Sequence, residues 1–333
     1  MFFNINSYAK LNLFLSIKGI TKCRKYHNIS SLLVYTDLHD KISIKTKKYS
    51  SGLSISFGGK FRHKVSNISG NLLKNNSITK IFSIISKKYD ISIDLDVFVE
   101  KNIPIASGMG GGSSNAGAII NFCDKFYGLE MSTQDKIDIG QLVGADVPFF
   151  TQNFSAICSG TGEIIQPIKI NPNIQNYSVL IIDLMEKTST KNIYQAYDTL
   201  NIDQNATDKI NYNNDICEMN LLTASKLGND VDLLNLIKNT TNNLVFANDF
   251  IVYRTKSVLR QMIEIANNGL INFGITGAGS SMFLIYDDTQ KARFAMTKAQ
   301  INFLGCYVNL IKIVPNILRI GQVSKCGVYQ HCA

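Results

Sequence analysis

The chain has 333 residues, 45% of them hydrophobic and 18% charged, which is ordinary for a soluble globular enzyme and long enough for two domains. Its net charge of +9 is spread along the sequence without a long run of like charges, so it favours a solvated basic surface over a nucleic-acid-binding tail. The seven cysteines form no C-x-x-C pair, a pattern typical of reduced thiols.

The N-terminus lacks the basic-then-apolar pattern of a secretion signal. The longest apolar stretch begins at Val179 and is interrupted by Asp183, so it is too short to span a bilayer. We therefore expect a cytoplasmic protein with no membrane partner. Cys326, His331 and Cys332 lie close together in the sequence, but no further candidate ligands lie near them, so a metal site there is not expected. No metal ligand is assigned from these patterns.

The first predicted element is a β-strand at residues 9–18. Leu11 and Leu13 fall on one face of its alternating pattern, and Lys10 and Asn12 fall on the other. The apolar face is expected to pack in a core. Similar alternation predicts further strands at residues 41–45, 53–57 and 91–99.

A glycine-rich loop, residues 107–115, follows the last of these strands and opens a helix. Its three consecutive glycines let the backbone approach an oxygen-rich ligand without obstruction by a Cβ atom. The first turn of a helix also presents unpaired N–H groups and a partial positive charge. The loop is neither a G-x-x-x-x-G-K-[ST] nor a G-x-G-x-x-G motif. It predicts a phosphate cradle, with a plain strand-to-helix turn as the alternative.

Helical spacing follows from Ala116 to Tyr127, with Gly128 at the C-cap position. Ser132 or Thr133 is expected to cap a next helix, which ends near Gly144. A tight turn at residues 144–148, a strand at 155–158, and a second domain after residue 167 come next. That domain is predicted to contain strands at 178–183 and 281–286, helices between 191 and 267, and a second small-residue loop at 274–281.

Two single residues are candidates for phosphoryl-transfer chemistry. Asp146 lies in the turn before Pro148 and could act as a base, although an aspartate beside glycine and proline is more often a turn or cap residue. Lys10 could supply positive charge, although a lysine on the polar face of a strand is usually solvated. On spacing alone, both alternatives stay open.

Taken together, these segments resemble the GHMP kinase superfamily, which includes galactokinase, homoserine kinase, mevalonate kinase and phosphomevalonate kinase. The phosphate-loop pattern of the family resembles residues 104–115, and its C-terminal glycine-rich loop resembles residues 274–281. Four further segments resemble the branch of the superfamily that phosphorylates a cytidine diphosphate-linked methylerythritol in non-mevalonate isoprenoid synthesis. These segments are residues 9–15, 26–28, 144–148 and 156–163.

The resemblance implies an α+β fold of two α/β domains, ribosomal-S5-like at residues 1–167 and ferredoxin-like at residues 168–333, with the active site in the cleft between them. It implies Lys10 and Asp146 as catalytic residues, and ATP with Mg²⁺ as cofactors, Ser114 being the candidate metal ligand. The implied nucleotide-binding residues are Pro104, Ile105, Ala106, Ser107, Gly108, Met109, Gly110, Gly111, Gly112, Ser113 and Ser114. The implied substrate-binding residues are Asn12, Tyr26, His27 and Tyr194, and the expected state is a monomer or weak homodimer.

The sequence departs from the family pattern in two places. Arg24 and Lys25 stand where Asp-Gly is usual, and Ile251 replaces the glutamate of an N-D-[LF]-E motif. Residues 60–75 and 200–240 match no pattern. Three alternatives remain open: Tyr194 as a core residue, another GHMP kinase with mevalonate, homoserine or a sugar as acceptor, and a non-enzymatic basic nucleotide or RNA binder.

Overall fold

The structure is a computed structural model that describes residues 1–21, 26–48, 51–66, 76–186, 189–199, 240, 242, 244, 255–265 and 269–317. Several features of the sequence lie outside the described residues. They are Arg24 and Lys25, residues 67–75, residues 200–239, the segment 248–251 and the group Cys326, His331 and Cys332.

The described strands are β1 (Phe2–Ile20), β2 (His27–Thr46), β3 (Ser54–Gly58), β4 (Leu95–Glu100), β5 (Ala156–Gly160), β6 (Ile164–Pro167), β7 (Ser178–Asp183), β8 (Leu270–Ile275), β9 (Ser281–Tyr286), β10 (Tyr307–Ile311) and β11 (Ile313–Val314). The described helices are α1 (Arg62–Ser66), α2 (Ser77–Tyr89), α3 (Gly111–Tyr127), α4 (Thr133–Gln141), α5 (Val147–Phe150), α6 (Thr190–Thr199), α7 (Thr255–Ile265) and α8 (Thr289–Asn302). A short 3₁₀ helix spans Pro172–Asn176. Within these ranges, no helix has the length and apolar character needed to cross a membrane.

Two β-sheets organise the molecule. In the first, β2 is the central strand: it pairs antiparallel with β1 over most of its length, with β4 at one end and with β5 at the other. Strands β3, β6 and β11 complete this sheet. The second sheet has four strands in the order β10-β7-β9-β8, and its pairs are antiparallel.

One hydrophobic core lies between the two sheets. Leu11 and Leu13 of β1 pack there with Val179 and Ile181 of β7 and Phe283 of β9. The other face of the first sheet is covered by α2 and α3, and the other face of the second sheet packs against α6, α7 and α8. The two halves of the chain therefore share apolar surface, which holds the cleft beside this core in a defined shape.

Several local predictions are confirmed. β7 and β9 have the predicted bounds, and α3 ends at Gly128, whose φ of 63° is the left-handed C-cap conformation. Ser132 caps α4 through a reciprocal capping box with Asp135. The strand predicted at residues 91–99 was too early, since β4 begins at Leu95.

The division of the chain at residue 167 stays a prediction. β6 ends at Pro167 and belongs to the first sheet, whereas β7 opens the second sheet. The strand β11 comes from the second half of the chain but pairs with β2, through Ile313 opposite Thr36. The second half thus contributes a strand to the first sheet.

Candidate active site

A single cleft brings together most of the residues that the sequence singled out. Its volume is 1210 Å³, and its walls come from the glycine-rich loop, from β1 and β2, from the turn before α5, and from α6. Lys10, Asn12, Tyr26, His27, Asp146 and Tyr194 all line it, together with residues 104–108 and 110–113.

The glycine-rich loop leads from β4 into α3. Gly108 and Gly110 have φ angles of 80° and 74°, a left-handed conformation that glycine adopts at little cost. Gly110 is the N-cap of α3, so the N–H groups of the first helical turn have no partner within the helix. Residues 110–113 line the cleft. Ser77 donates a hydrogen bond to the carbonyl of Gly112 over 2.8 Å and holds the helix start against α2. This arrangement suits the binding of phosphate oxygens.

Two residues of this loop turn away from the cleft. Met109 is fully buried in the core between the sheets. Ser114 is also fully buried, and its hydroxyl donates to the carbonyl of Tyr8 over 2.6 Å and accepts from Ser7 over 2.7 Å. The Ser114 oxygen thus joins α3 to β1 in this structure, and its role as a metal ligand stays a prediction. The neighbouring Ser113 lines the cleft.

The second glycine-rich loop packs directly against the first. The amide of Ser281 donates to the carbonyl of Ser107 over 3.1 Å, and the hydroxyl of Thr276 donates to the carbonyl of Gly108 over 3.3 Å. A Cβ atom at Gly279 would collide with the backbone of Ser107. The two loops therefore form one wall, which is why small residues recur in both.

A buried carboxylate holds the second loop in place. Asp183, at the end of β7, accepts hydrogen bonds from the hydroxyls of Ser281 over 2.5 Å and Ser280 over 3.1 Å, and from the amide of Met185 over 2.7 Å. Burial raises the pKa of Asp183, and these hydrogen bonds oppose that rise. The residue is a structural anchor that sequence analysis did not single out.

We predict that Gly108→Ala destabilises the fold more than Gly128→Ala. Both glycines have positive φ, so both alanines carry about 1–2 kcal/mol of backbone strain. A Cβ atom at Gly128 meets nothing within 4 Å, whereas one at Gly108 would collide with the backbone of Thr276. The extra loss in free energy of unfolding should be about 1–3 kcal/mol, as measured by urea denaturation. Equal losses would contradict the close contact between the two loops.

Lys10 and Asp146 meet in the middle of the cleft. The Lys10 ammonium lies 3.5 Å from a carboxylate oxygen of Asp146 and also donates to the side-chain oxygen of Asn12. Burial lowers the pKa of Lys10, and the charge of Asp146 opposes that effect. Lys10 is 1% exposed, whereas the side chain of Asp146 is 40% exposed. The buried cation therefore faces a carboxylate that the cleft leaves accessible.

The sequence predicted Lys10 and Asn12 on one face of β1, and the structure places both beside the cleft. Asn12 is fixed on three sides: its amide nitrogen donates to Ser31 over 2.7 Å, its backbone N–H donates to Thr276 over 3.1 Å, and its side-chain oxygen accepts from Thr276 over 3.2 Å. Thr276 thereby connects the second loop to the Lys10 group, a role that the sequence did not suggest.

The turn that carries Asp146 is held from behind. Gly162 has a φ of 116°, and a Cβ atom there would lie 2.5 Å from the carbonyl oxygen of Ala145. The turn that contains Gly162 is stabilised by Glu163, whose carboxylate accepts hydrogen bonds from the amide and the hydroxyl of Thr161, each over 2.7 Å. Asp146 itself begins α5 without a capping hydrogen bond from its side chain. Its carboxylate is therefore available for chemistry instead of being used to cap the helix.

Cys158 of β5 also lines this part of the cleft. Burial is the main cause that raises the pKa of its thiol, with a smaller contribution from the charge of Asp146. A thiol with a raised pKa stays protonated and is a poor nucleophile. It contributes packing here.

One end of the cleft is aromatic. The rings of His27 and Tyr194 lie 4.8 Å apart with an interplanar angle of 36°, and Tyr26 is 53% exposed beside them. A carboxylate oxygen of Asp198 forms a hydrogen bond with the Nε2 atom of His27 over 2.7 Å. Tyr194 also packs against the core of the second sheet while it lines the cleft, and its contact with a substrate stays a prediction.

A second buried ion pair borders the other end of the cleft, and sequence analysis missed it. The ammonium of Lys101 contacts Asp40, whose second oxygen accepts from the backbone amides of Asn102 over 2.7 Å and Ile103 over 2.9 Å. A Cβ atom at Gly111 would lie 3.3 Å from the Lys101 nitrogen. A fixed cation thus lies at the start of α3. The only available signal was a lysine between a strand and Pro104.

Family models and individual relatives both match this sequence. Residues 76–153 match the model of the GHMP kinases N terminal domain, and residues 221–303 match that of the GHMP kinases C terminal domain. The 4-diphosphocytidyl-2-C-methyl-D-erythritol kinase of Thermoanaerobacter sp. (strain X514) is 29% identical over 308 residues, which cover 91% of this chain and 92% of that protein. The protein of the same name from Clostridium perfringens (strain 13 / Type A) is 28% identical over 309 residues, covering 91% and 96%.

Solved structures share the fold. A crystal structure of 4-(cytidine 5'-diphospho)-2C-methyl-D-erythritol kinase superposes with a TM-score of 0.65 at 21% identity, over 93% of this chain and 99% of that one. Homoserine kinase from Cytophaga hutchinsonii superposes with a TM-score of 0.69 at 13% identity, over 95% of each chain. At 21% and 13% identity, the similarity to these structures shows only that the fold is shared.

Proposed function

This chain belongs to the GHMP kinases, and on that premise we propose that it transfers the γ-phosphoryl group of ATP to the 2-hydroxyl of 4-diphosphocytidyl-2-C-methyl-D-erythritol. The observation that carries the proposal is the position of the Lys10–Asp146 pair, in one cleft with the glycine-rich loop and an aromatic end. The proposal places the protein in non-mevalonate isoprenoid synthesis, in agreement with the names of its relatives.

Asp146 and Lys10 are proposed to act on the acceptor hydroxyl. Asp146 accepts or orients the hydroxyl proton, and the acceptor oxygen then forms a bond to the γ-phosphorus while the bond to the β-phosphate oxygen breaks and ADP leaves. Lys10 holds negative charge that develops at the acceptor oxygen, and its buried position strengthens this interaction. Asn12 and Thr276 keep the Lys10 group in place.

The phosphate loop is proposed to bind the nucleotide through backbone N–H groups at the start of α3, where glycine allows close approach. Among the described residues, no group of three or more histidine, cysteine or acidic side chains could form a metal site. The side-chain oxygen of Asn115 is buried without a hydrogen-bond partner, and that residue lines the cleft. With the Asn115 oxygen as the protein atom available to it, Mg²⁺ would be held largely by the ATP phosphates and by water. The ion would neutralise phosphate charge.

The aromatic end is proposed to hold the cytosine ring, with Tyr194 stacking on it. We predict that Tyr194→Ala raises the KM for the cytidyl substrate about tenfold, since base stacking contributes about 1–3 kcal/mol, while kcat changes little. Tyr194→Phe keeps the ring and should leave the KM nearly unchanged. Steady-state kinetics of the two variants test this, and an unchanged KM in the alanine variant would return Tyr194 to a packing role alone.

An ADP-release assay across acceptors tests the whole proposal. The cytidyl substrate should be phosphorylated, and mevalonate, homoserine and simple sugars should not. Phosphorylation of mevalonate or homoserine without the cytidyl substrate would replace the proposal with another kinase of the same superfamily. Affinity for RNA that falls steeply with salt, without ATP turnover, would favour the non-enzymatic alternative suggested by the net charge of +9.

A further inference from the structure

Asp198 lines the cleft and contacts its aromatic end through a hydrogen bond with His27. It lies on α6 four positions after Tyr194, so both side chains project from the same face of the helix. Its carboxylate is 2.7 Å from Nε2 of His27, which opens β2. The contact joins residues that are distant in the sequence, and neither the family pattern nor the spacing of motifs assigns Asp198 a role.

This hydrogen bond has a chemical consequence for His27. An ionised carboxylate can only accept, so Nε2 must carry the proton. In the neutral imidazole, Nδ1 is then an acceptor. Within the described part of the chain, no residue forms a hydrogen bond with Nδ1 of His27. His27 therefore offers an acceptor of defined position, with its ring held by Tyr194 on one face and by Asp198 at its edge.

We infer that Asp198 is a positioning residue that fixes the tautomer of His27, so that Nδ1 accepts a hydrogen bond from the exocyclic amine of cytosine. The inference rests on the proposed function, since it concerns the base of the same substrate. Uracil carries an acceptor oxygen where cytosine carries the amine. Two acceptors repel each other, so the Asp198–His27 pair selects cytidine over uridine at this end of the cleft.

The location of Asp198 suits a role in selectivity better than a role in stability. The side chain of Asp198 is 39% exposed and that of His27 is 11% exposed. A hydrogen bond that is this accessible to water contributes little to folding, because water competes for the Asp198 carboxylate. Removal of the carboxylate should therefore leave the fold intact, and a change in base selectivity can be measured without a large loss of folded protein.

The first experiment compares kcat/KM for the cytidine and uridine diphosphate forms of methylerythritol in the wild type, Asp198→Asn and Asp198→Ala. An Asn amide can donate as well as accept, so it no longer dictates the tautomer. The preference for cytidine over uridine should fall about tenfold in both variants, which corresponds to part of one base-edge contact. The change should come from a higher KM for the cytidyl substrate. Asp287→Asn is the matched control, since Asp287 is an exposed carboxylate paired with Lys291 away from the cleft.

The second experiment reads the tautomer directly. The chain has four histidines, so the ¹⁵N imidazole resonances of His27 can be assigned with the variant His27→Gln. The wild type should show protonated Nε2 and unprotonated Nδ1, and Asp198→Asn should lose this pattern. Addition of cytidine diphosphate should shift the Nδ1 resonance in the wild type, and uridine diphosphate should shift it much less.

The outcomes separate the inference from the function on which it rests. Turnover of the cytidyl substrate with the same cytidine preference in all variants would overturn the inference and leave the proposed function standing. If the wild type does not turn over that substrate, the proposed function fails, and the nucleotide titration still decides whether His27 recognises the base. A Nδ1 resonance that is protonated, or that responds equally to both nucleotides, would overturn the inference.

Discussion

The variant Asp146→Asn is expected to lose kcat by a factor of about 10²–10⁴, the usual contribution of a positioned general base, while its affinity for ATP stays close to that of the wild type. The amide cannot take the hydroxyl proton, and it removes the negative charge that faces Lys10 at 3.5 Å. ATP binding should persist because the phosphate loop belongs to a separate segment, at the start of α3.

The fold should tolerate this change. The side chain of Asp146 is 40% exposed and caps no helix, and the buried Lys10 ammonium keeps its hydrogen bond to Asn12 when the charge of Asp146 is removed. Asp138→Asn is the matched control, since Asp138 lies exposed on α4 and accepts a hydrogen bond from Gln134. Turnover by coupled ADP release and nucleotide affinity by calorimetry give the two readouts. Loss of ATP affinity with turnover retained would reverse the assignment.

The second large effect is expected for Lys10→Met. Methionine fills similar volume but carries no charge, so negative charge at the acceptor oxygen would lose its nearest cation. The expected loss in kcat is about 10²–10³, comparable to removal of one preorganised electrostatic donor. Asn12 would keep its hydrogen bond to Thr276, which limits the rearrangement of the cleft.

The control for this variant is Lys18→Met, the same substitution on the same strand, at an exposed position that does not line the cleft. Its kcat should match the wild type. Thermal unfolding of both proteins shows whether the loss at Lys10 is a loss of folded enzyme. A Lys10→Met protein that is folded and turns over at more than about a tenth of the wild-type rate would exclude Lys10 from the electrostatic role.

Local signals in the sequence were reliable where one stretch of chain decides its own conformation. The helix after the phosphate loop and its end at Gly128 follow from spacing and from the left-handed preference of glycine. The cap of α4 at Ser132 follows from the preference of serine for this position. These features depend on neighbours within a few positions, and so a sequence pattern can predict them.

Predictions of side-chain environment were less reliable, because that environment depends on residues that are distant in the sequence. Alternation on β1 separated Leu11 from Lys10 correctly, but a polar face of a strand is ordinarily solvated, and Lys10 is 1% exposed. Its neighbours include Gly110 of the phosphate loop and Gly277, which comes from a loop more than two hundred residues away. Ser114 resembled a ligand-binding serine by its position in the loop, yet the direction of its side chain depends on how α3 packs on β1.

The sequence by itself thus determined the phosphate loop, the helix that follows it and the superfamily to which the motifs point. The tertiary structure alone decided that Lys10 meets Asp146, that the two glycine-rich loops form one wall, and that Asp198 meets His27. Each of these contacts joins segments far apart in the chain. The packing of two sheets on a shared core decides which residues meet. A local sequence pattern carries no information about which distant side chain that packing brings near.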